Sequence, residues 1–326
     1  MKITLAHGSG GRATAELVEG VFAKKFSNPE LDKMEDCAVL DGSRRLAVTT
    51  DSFVVAPLEF KGGDIGRLCI CGTVNDLLMR GAVPKYITCG FIIEEGLDFS
   101  LLERIADSAA ETAREAGVII VAGDTKVVEG NGGLYINTAG VGFVDEGIGI
   151  SASLCRQGDA VVLSGNLGEH HAAILSRRMG IENGIQSDAA PLCGMVRAML
   201  EAGLELHAMR DVTRGGLGTV LNELAAASGC GFEIDEEKIP VSSEVEAFAK
   251  ILGLDIMHMG NEGKLIAVLP KEQAERAREI MRGCPYGANA AVIGLVTEKS
   301  GVSMRTRIGG RRSVSELIGE GLPRIC

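Results

Sequence analysis

Leu46-Ala-Val-Thr-Thr-Asp51-Ser52, Val118-Ile-Ile-Val-Ala-Gly-Asp124-Thr125 and His207-Ala-Met-Arg-Asp211-Val-Thr213 share one grammar: an apolar or β-branched run, then an aspartate, then a hydroxyl residue. Each run has the composition of a buried strand. Aspartates at strand ends are expected to converge on one edge of a sheet, where hard carboxylate oxygens suit Mg²⁺ together with substrate phosphates. A single Asp after a strand is an ordinary turn former or helix cap. Three copies, beside Asn75-Asp76 and the acid pair Glu35-Asp36, point to a site instead.

Outward from these runs, strands and helices alternate. Strands are expected near 2–6, 44–50, 86–93, 118–121 and 134–144, with helices near 13–26, 64–80 and 99–116. In the last of these, Leu101, Leu102, Ile105, Ala106, Ala109 and Ala113 share one face and Gly117 is a natural stop. Periodicity lapses around Asp145–Gly158, which places a domain boundary near 150. Beyond it, strands are expected at 160–164, 231–235, 264–269 and 291–297, with helices near 168–179, 189–202, 215–228, 242–251 and 271–281. The expected fold is α+β (mixed α/β): two domains of mixed sheets with helices packed on them, plus a mobile C-terminal tail. The divisions are a glycine-rich segment and helix over 1–41, a first domain over 42–150, a second over 151–303, and the tail over 304–326.

The 326 residues suit about two domains with ample core. A net charge of −11 disfavours a nucleic-acid or anionic-membrane binder, which needs a basic footprint. No apolar run approaches the ~18 residues of a membrane span, and the amino terminus, Met1-Lys-Ile-Thr-Leu-Ala-His7, lacks the apolar core of a signal peptide. Nine cysteines with no CxxC spacing read as a reduced, cytoplasmic chain. Zinc is disfavoured, because the adjacent His170 and His171 point about 100° apart on a helix.

Among the glycine-rich loops, no GxxxxGK[ST] occurs, which excludes a P-loop. Gly8-Ser-Gly10-Gly-Arg-Ala13 matches part of a dinucleotide fingerprint, but the required second strand is missing: Ser27–Glu35 is polar and contains Pro29. A loop whose N–H groups close over phosphate stays open, as does an anion site at Asp211-Val-Thr-Arg-Gly-Gly. Gly260-Asn261-Glu262-Gly263-Lys264 sets an acid between glycines before a strand, and Lys126 directly follows Asp124-Thr125. The chain ends in Pro323-Arg324-Ile325-Cys326. A terminal thiol on an arm can carry a group, and the ~20 residues after Arg307 would span ~65–70 Å when extended.

Taken together, these motifs resemble the HypE family, the carbamoyl dehydratases of nickel–iron hydrogenase maturation, within the AIR synthase-related superfamily. The resemblance runs from Leu5-Ala-His7-Gly-Ser-Gly-Gly to Cys326. It implies an AIR synthase-like fold, a homodimer with ATP at or near the subunit interface, and Mg²⁺ held by Asp51, Asp76, Asp124 and Asp211. It implies that Asp36, Asn75, Thr125 and Asn261, with those acids, bind the nucleotide. Lys126 would stabilise the transferring phosphoryl group or the carbamoyl oxygen, Glu262 would act as general base, and Cys326 would be the covalent carrier. The implied reaction dehydrates an S-carbamoyl group on Cys326 to S-cyanate. The implied partners are HypF as carbamoyl donor and the HypC–HypD complex as cyanide acceptor. A small-molecule ATP-dependent kinase or synthetase of the same superfamily is the alternative.

Overall fold

The structure is a computed structural model that describes residues 2–8, 12–34, 37, 38 and 40–317. The first half of the chain forms helices α1 (Arg12–Leu17) and α2 (Lys24–Phe26), joined by a π-type turn at Val18–Ala23. It continues through β1 (Leu46–Phe53), a small hairpin β2 (Glu59–Phe60) and β3 (Gly63–Asp64), α3 (Ile65–Leu78), β4 (Val83–Glu94), α4 (Phe99–Ala116), β5 (Ile119–Val128) and β6 (Leu134–Phe143). The second half comprises β7 (Ala160–Leu163), α5 (Glu169–Met179), α6 (Cys193–Glu201), β8 (Ala208–Asp211), α7 (Gly216–Ser228), β9 (Gly231–Asp235), α8 (Ser243–Leu252), β10 (Leu265–Leu269), α9 (Ala274–Arg282), β11 (Ala291–Thr297), β12 (Gly301–Arg305) and β13 (Arg311–Ser313). Among the described residues, no helix is long and apolar enough to cross a membrane.

Two mixed sheets organise the molecule. The first has the order β1-β6-β4-β5, with only β4 and β5 parallel; the second has the order β13-β12-β9-β11-β7-β10-β8. Helix α3 lies on the inner face of the first sheet. Its Asp64 cap accepts the Arg67 N–H at 2.9 Å, and twelve of its fourteen residues are buried, so apolar and small side chains occupy most of its circumference. Gly72 lets Phe53 of β1 close onto the helix: a Cβ there would meet the ring at 2.9 Å. Helix α4 follows the sequence expectation residue for residue, ending at Gly117 in the left-handed conformation (φ 72°).

Among the described residues, the outer face of the first sheet is uncovered. Leu46, Val48, Val83, Ile92, Ile119 and Val128 are exposed there, Val48 by 69%. An apolar sheet face of this kind normally packs on another layer.

Two expectations are corrected. The strand expected near 2–6 is a single bridge at Lys2 followed by a 3₁₀ turn at Leu5–Gly8. The turn lets Gly8 press on β5, where a Cβ would stand 2.6 Å from the Val127 nitrogen. The tail expected from 304 starts too early: β12 and β13 extend the second sheet through Ser313, and Val314 is 2% exposed. Strand β13 is short and wholly exposed at its edge, so no alternation in the sequence marks it.

Candidate active site

Asp51 leaves the inner side of β1, Asp76 lies near the end of α3, and Asp211 ends β8. With Ser52, Thr213, Arg214, Glu223 and Glu262 they line a cavity of about 270 Å³ at the seam between the two halves. Alternation along β1 aims Asp51 and Thr49 at α3, where the Thr49 hydroxyl donates to Asp76 Oδ2 at 2.7 Å. Burial, then the charge of Asp76 and a hydrogen bond with it, raises Asp51 to about 6, against a lowering pull from Arg214. Burial first, then Asp76, raises Asp211 to about 7. Carboxylates raised by mutual crowding hold protons that a cation can replace. Among the described residues, no three His, Cys, Asp or Glu side chains close into a metal-ligand set. The donors are nevertheless hard oxygens around an open cavity, which fits a Mg²⁺ that takes its other ligands from phosphate and water.

Asp124 does not join this group within one subunit. Its strand, β5, is at the opposite edge of the sheet from β1, three strand spacings or ~14 Å away. It is also paired with Gly90 in a register that turns Asp124 and Lys126 to the outer face, beside Ile92. The expectation that the strand-end aspartates converge on one sheet edge fails: β6 and β4 separate Asp51 from Asp124, and Asp211 ends a strand of the second sheet. Lys126 Nζ instead lies 2.8 Å from Asp124 Oδ1 and holds that carboxyl below its usual range. With Thr125, these two form the polar rim of a second cavity of about 420 Å³, whose apolar wall includes Phe22, Phe26, Leu31, Phe91 and Ile120. An apolar cavity with a polar rim suits a planar ring carrying an anionic tail. Cys37 and Ala38 also line it. Asp36, next in the chain, lies outside the described residues, as does Cys326.

Asn75 and Asn261, expected to contact nucleotide, are occupied elsewhere. Asn75 is 2% exposed; its amide donates to Ala190 O at 3.0 Å and its Oδ1 accepts the Leu192 N–H at 2.9 Å. It therefore ties α3 to the second domain, one residue from Asp76. Asn261 is fully buried: Oδ1 accepts from Gly168 N at 2.7 Å and Nδ2 donates to Val212 O at 2.8 Å. Buried amides with these bonds satisfied are scaffold rather than ligands.

Glu262 is 3% exposed and reaches the 270 Å³ cavity. Its N–H donates to Asp188 Oδ1 at 3.1 Å, and Asp188 Oδ2 lies 3.1 Å from the buried Lys264 Nζ. At Gly263 a Cβ would strike Asp188 O at 1.9 Å, so this turn needs glycine to reach its place. Asp188 had no sequence signal: it stands alone in a polar loop, and only the fold brings it under Glu262.

The family model "AIR synthase related protein, N-terminal domain" matches residues 34–144, and the corresponding C-terminal domain model matches 156–307. The carbamoyl dehydratase HypE of Azotobacter vinelandii is 50% identical, with 99% of this chain and 97% of that protein covered. A crystal structure of the hydrogenase maturation protein HypE in complex with ATP superposes with a TM-score of 0.95 at 44% identity, covering 99% of both chains. The HypE of a HypE–HypF complex gives 0.82 at 44% identity, covering 92% of this chain and 99% of that one. On sequence and fold together, this chain belongs to the HypE carbamoyl dehydratase family of AIR synthase-related enzymes.

Proposed function

We propose that this chain uses ATP to dehydrate an S-carbamoyl group on its own Cys326 to S-cyanate, supplying the cyanide ligand of a nickel–iron hydrogenase. The observation that carries the reading is the convergence of Asp51, Asp76, Asp211 and Glu262 on one cavity at the domain seam, in a chain that matches an ATP-bound relative along its whole length. ATP would lay its base in the apolar slot under Phe22 and Phe91, with its phosphates toward the acids. Mg²⁺ would be held by Asp51, Asp76 and Asp211, and when bound it offsets phosphate charge.

The chemistry then needs three acts. The carbamoyl oxygen of Cys326 attacks the γ-phosphorus and ADP departs. Glu262, held in place through its N–H by Asp188, accepts the N–H proton. The C–O bond breaks with phosphate as leaving group, the departing phosphate takes the second N–H proton, and Cys–S–C≡N remains. Lys126 is the cation offered to the developing oxyanion.

A homodimer formed through the open sheet face would bury Leu46, Val48 and Ile92. It would also place Asp124 and Lys126, which rise from that face, between two subunits. HypF would load the carbamoyl group, as the HypE–HypF complex of a relative suggests, and a HypC–HypD complex would receive the cyanide. The described cysteines are all free, in keeping with a reducing cytoplasm.

Replacing Cys326 by Ala tests the reading. ATP affinity should be unchanged and thiocyanate should vanish; a cyanated product from the variant would overturn the mechanism, and a phosphorylated or cyclised metabolite formed without Cys326 would favour the small-molecule kinase or synthetase alternative.

A further inference from the structure

The turn Asp211-Val-Thr-Arg-Gly-Gly has the composition of an anion site and carries one side chain, Arg214, that the chemistry above leaves unused. The turn is stitched to the segment that carries Glu262. The Val212 N–H donates to Lys264 O at 2.8 Å and Val212 O accepts the Asn261 N–H at 3.1 Å, so both backbone groups of Val212 are bonded to residues flanking Glu262. The chain then folds back sharply. The Gly216 N–H donates to Thr213 O at 3.0 Å, and Gly215 and Gly216 are both left-handed, at φ 80° and 66°. A Cβ at Gly215 would stand 2.5 Å from Thr219 Oγ1, and one at Gly216 would stand 2.6 Å from Met257 O. Arg214, just before this bend, is exposed and lines the cavity of about 270 Å³ that holds the acids.

Among the described residues, two cations line that cavity, Arg210 and Arg214. Arg210 is committed: its Nη2 lies 2.7 Å from Glu223 Oε2. Arg214 makes no hydrogen bond or ion pair among the described residues, and it acts on Asp51 through its field, pulling that carboxyl down against burial and Asp76. Lys126 stands on the outer face of the first sheet and is not among the lining residues. The reaction calls for a cation in this place. In a phosphorylated carbamoyl group, one carbon and one oxygen separate the nitrogen that Glu262 deprotonates from the phosphorus, so the phosphoryl group and Glu262 share the cavity. Carboxylates facing phosphoryl oxygens repel them, and a guanidinium fork matches two such oxygens at once.

We infer that Arg214 is a catalytic residue of the dehydration: its guanidinium holds the γ-phosphoryl group of ATP through transfer and departure. This rests on the reading that the carbamoyl group is phosphorylated by ATP. In the first step the carbamoyl oxygen bonds to the γ-phosphorus, and the bond to ADP breaks with its electron pair left on ADP. In the second the C–O bond breaks with its electron pair left on phosphate, while one N–H proton passes to Glu262 and the other to the phosphate. Arg214 forms and breaks no covalent bond; its charge stabilises the phosphoryl oxygens in both steps. The side chain is exposed and the backbone at 214 is not left-handed, so its truncation leaves the turn intact.

The test uses full-length protein, carbamoylated on Cys326 by a HypF-type transferase for the rate measurements. In Arg214→Ala, calorimetry should show the affinity for a non-hydrolysable ATP analogue with Mg²⁺ falling about ten- to hundredfold, while the affinity for ADP with Mg²⁺ stays at the parent value. At saturating Mg²⁺ and ATP, its single-turnover thiocyanate rate should fall about a hundred- to thousandfold. Guanidinium ion, added below denaturing concentration, should restore part of that rate, which it could not do for a variant that had lost its structure. Arg214→Lys, which keeps the charge without the fork, should fall between parent and Arg214→Ala. A variant rate equal to the parent's overturns the inference, as does an equal loss of affinity for the ATP analogue and for ADP, which would make Arg214 a general counter-charge. A parent that forms no thiocyanate overturns the functional reading instead, and the contact with the γ-phosphate then stands or falls on the two affinities alone.

Discussion

Asp211 offers the sharpest test of the acidic cavity, because its energetic signature has a definite sign. Its pKa is raised from 3.8 to about 7 by burial and by the charges of Asp76 and Asp51. A raised carboxyl stabilises the folded chain below its unfolded pKa. That contribution is lost as pH climbs from about 4 to about 7, because the unfolded chain releases the proton first. At 1.36 kcal/mol per pH unit, a shift of about three units sets a ceiling of about 4 kcal/mol. Partial exposure of the side chain brings the expectation to about 2–4 kcal/mol. Asp211→Asn removes the titration. Urea unfolding without nucleotide or Mg²⁺, at pH 4.5 and pH 8, should show the variant gaining about 2–4 kcal/mol on the parent between the two conditions. Mg²⁺·ATP should reverse the order at pH 8, since it stabilises only the parent strongly. A gap between variant and parent that does not change with pH would refute the crowding argument.

Two further outcomes follow from the scaffold. Asn75→Ala leaves the Leu192 N–H and Ala190 O unpaired in the domain seam and should cost about 2–4 kcal/mol in denaturant unfolding, whereas loss of ATP affinity without loss of stability would return Asn75 to the nucleotide site. Val48→Arg puts a charge on the open sheet face; sedimentation should show the dissociation constant of the proposed homodimer rising about a hundredfold, the equivalent of about 3 kcal/mol for an unpaired buried charge.

Part of the candidate cavity was legible because strand-end aspartates obey local rules: an apolar run, an acid and a hydroxyl residue single out Asp51 and Asp211, which line it, and also Asp124, which does not. Helix α4 was equally plain, since one apolar stripe and Gly117 define it completely. Strand order was not legible. Whether Asp124 meets Asp51 depends on β4 and β6 lying between their strands, which no local pattern encodes. Asn75 and Asn261 stand inside motifs rich in chemistry, yet their amides are spent on backbone groups, some of them about ninety to a hundred and twenty residues away. The aromatic wall did carry a faint signal, Phe22 and Phe26 at i,i+4, which reads equally as helix core. Arg311–Ser313 reads as tail because an exposed three-residue edge strand has no buried face to pattern it.

The central claim is that the terminal sulfur carries the group on which ATP acts. Mass spectrometry of the C-terminal peptide, after carbamoylation and then incubation with Mg²⁺ and ATP, tests it directly. The account predicts that the carbamoylated peptide loses one water only when ATP is present, with one phosphate released per peptide converted. A carbamoyl mass that survives ATP turnover unchanged, or a loss of water without ATP, would contradict it.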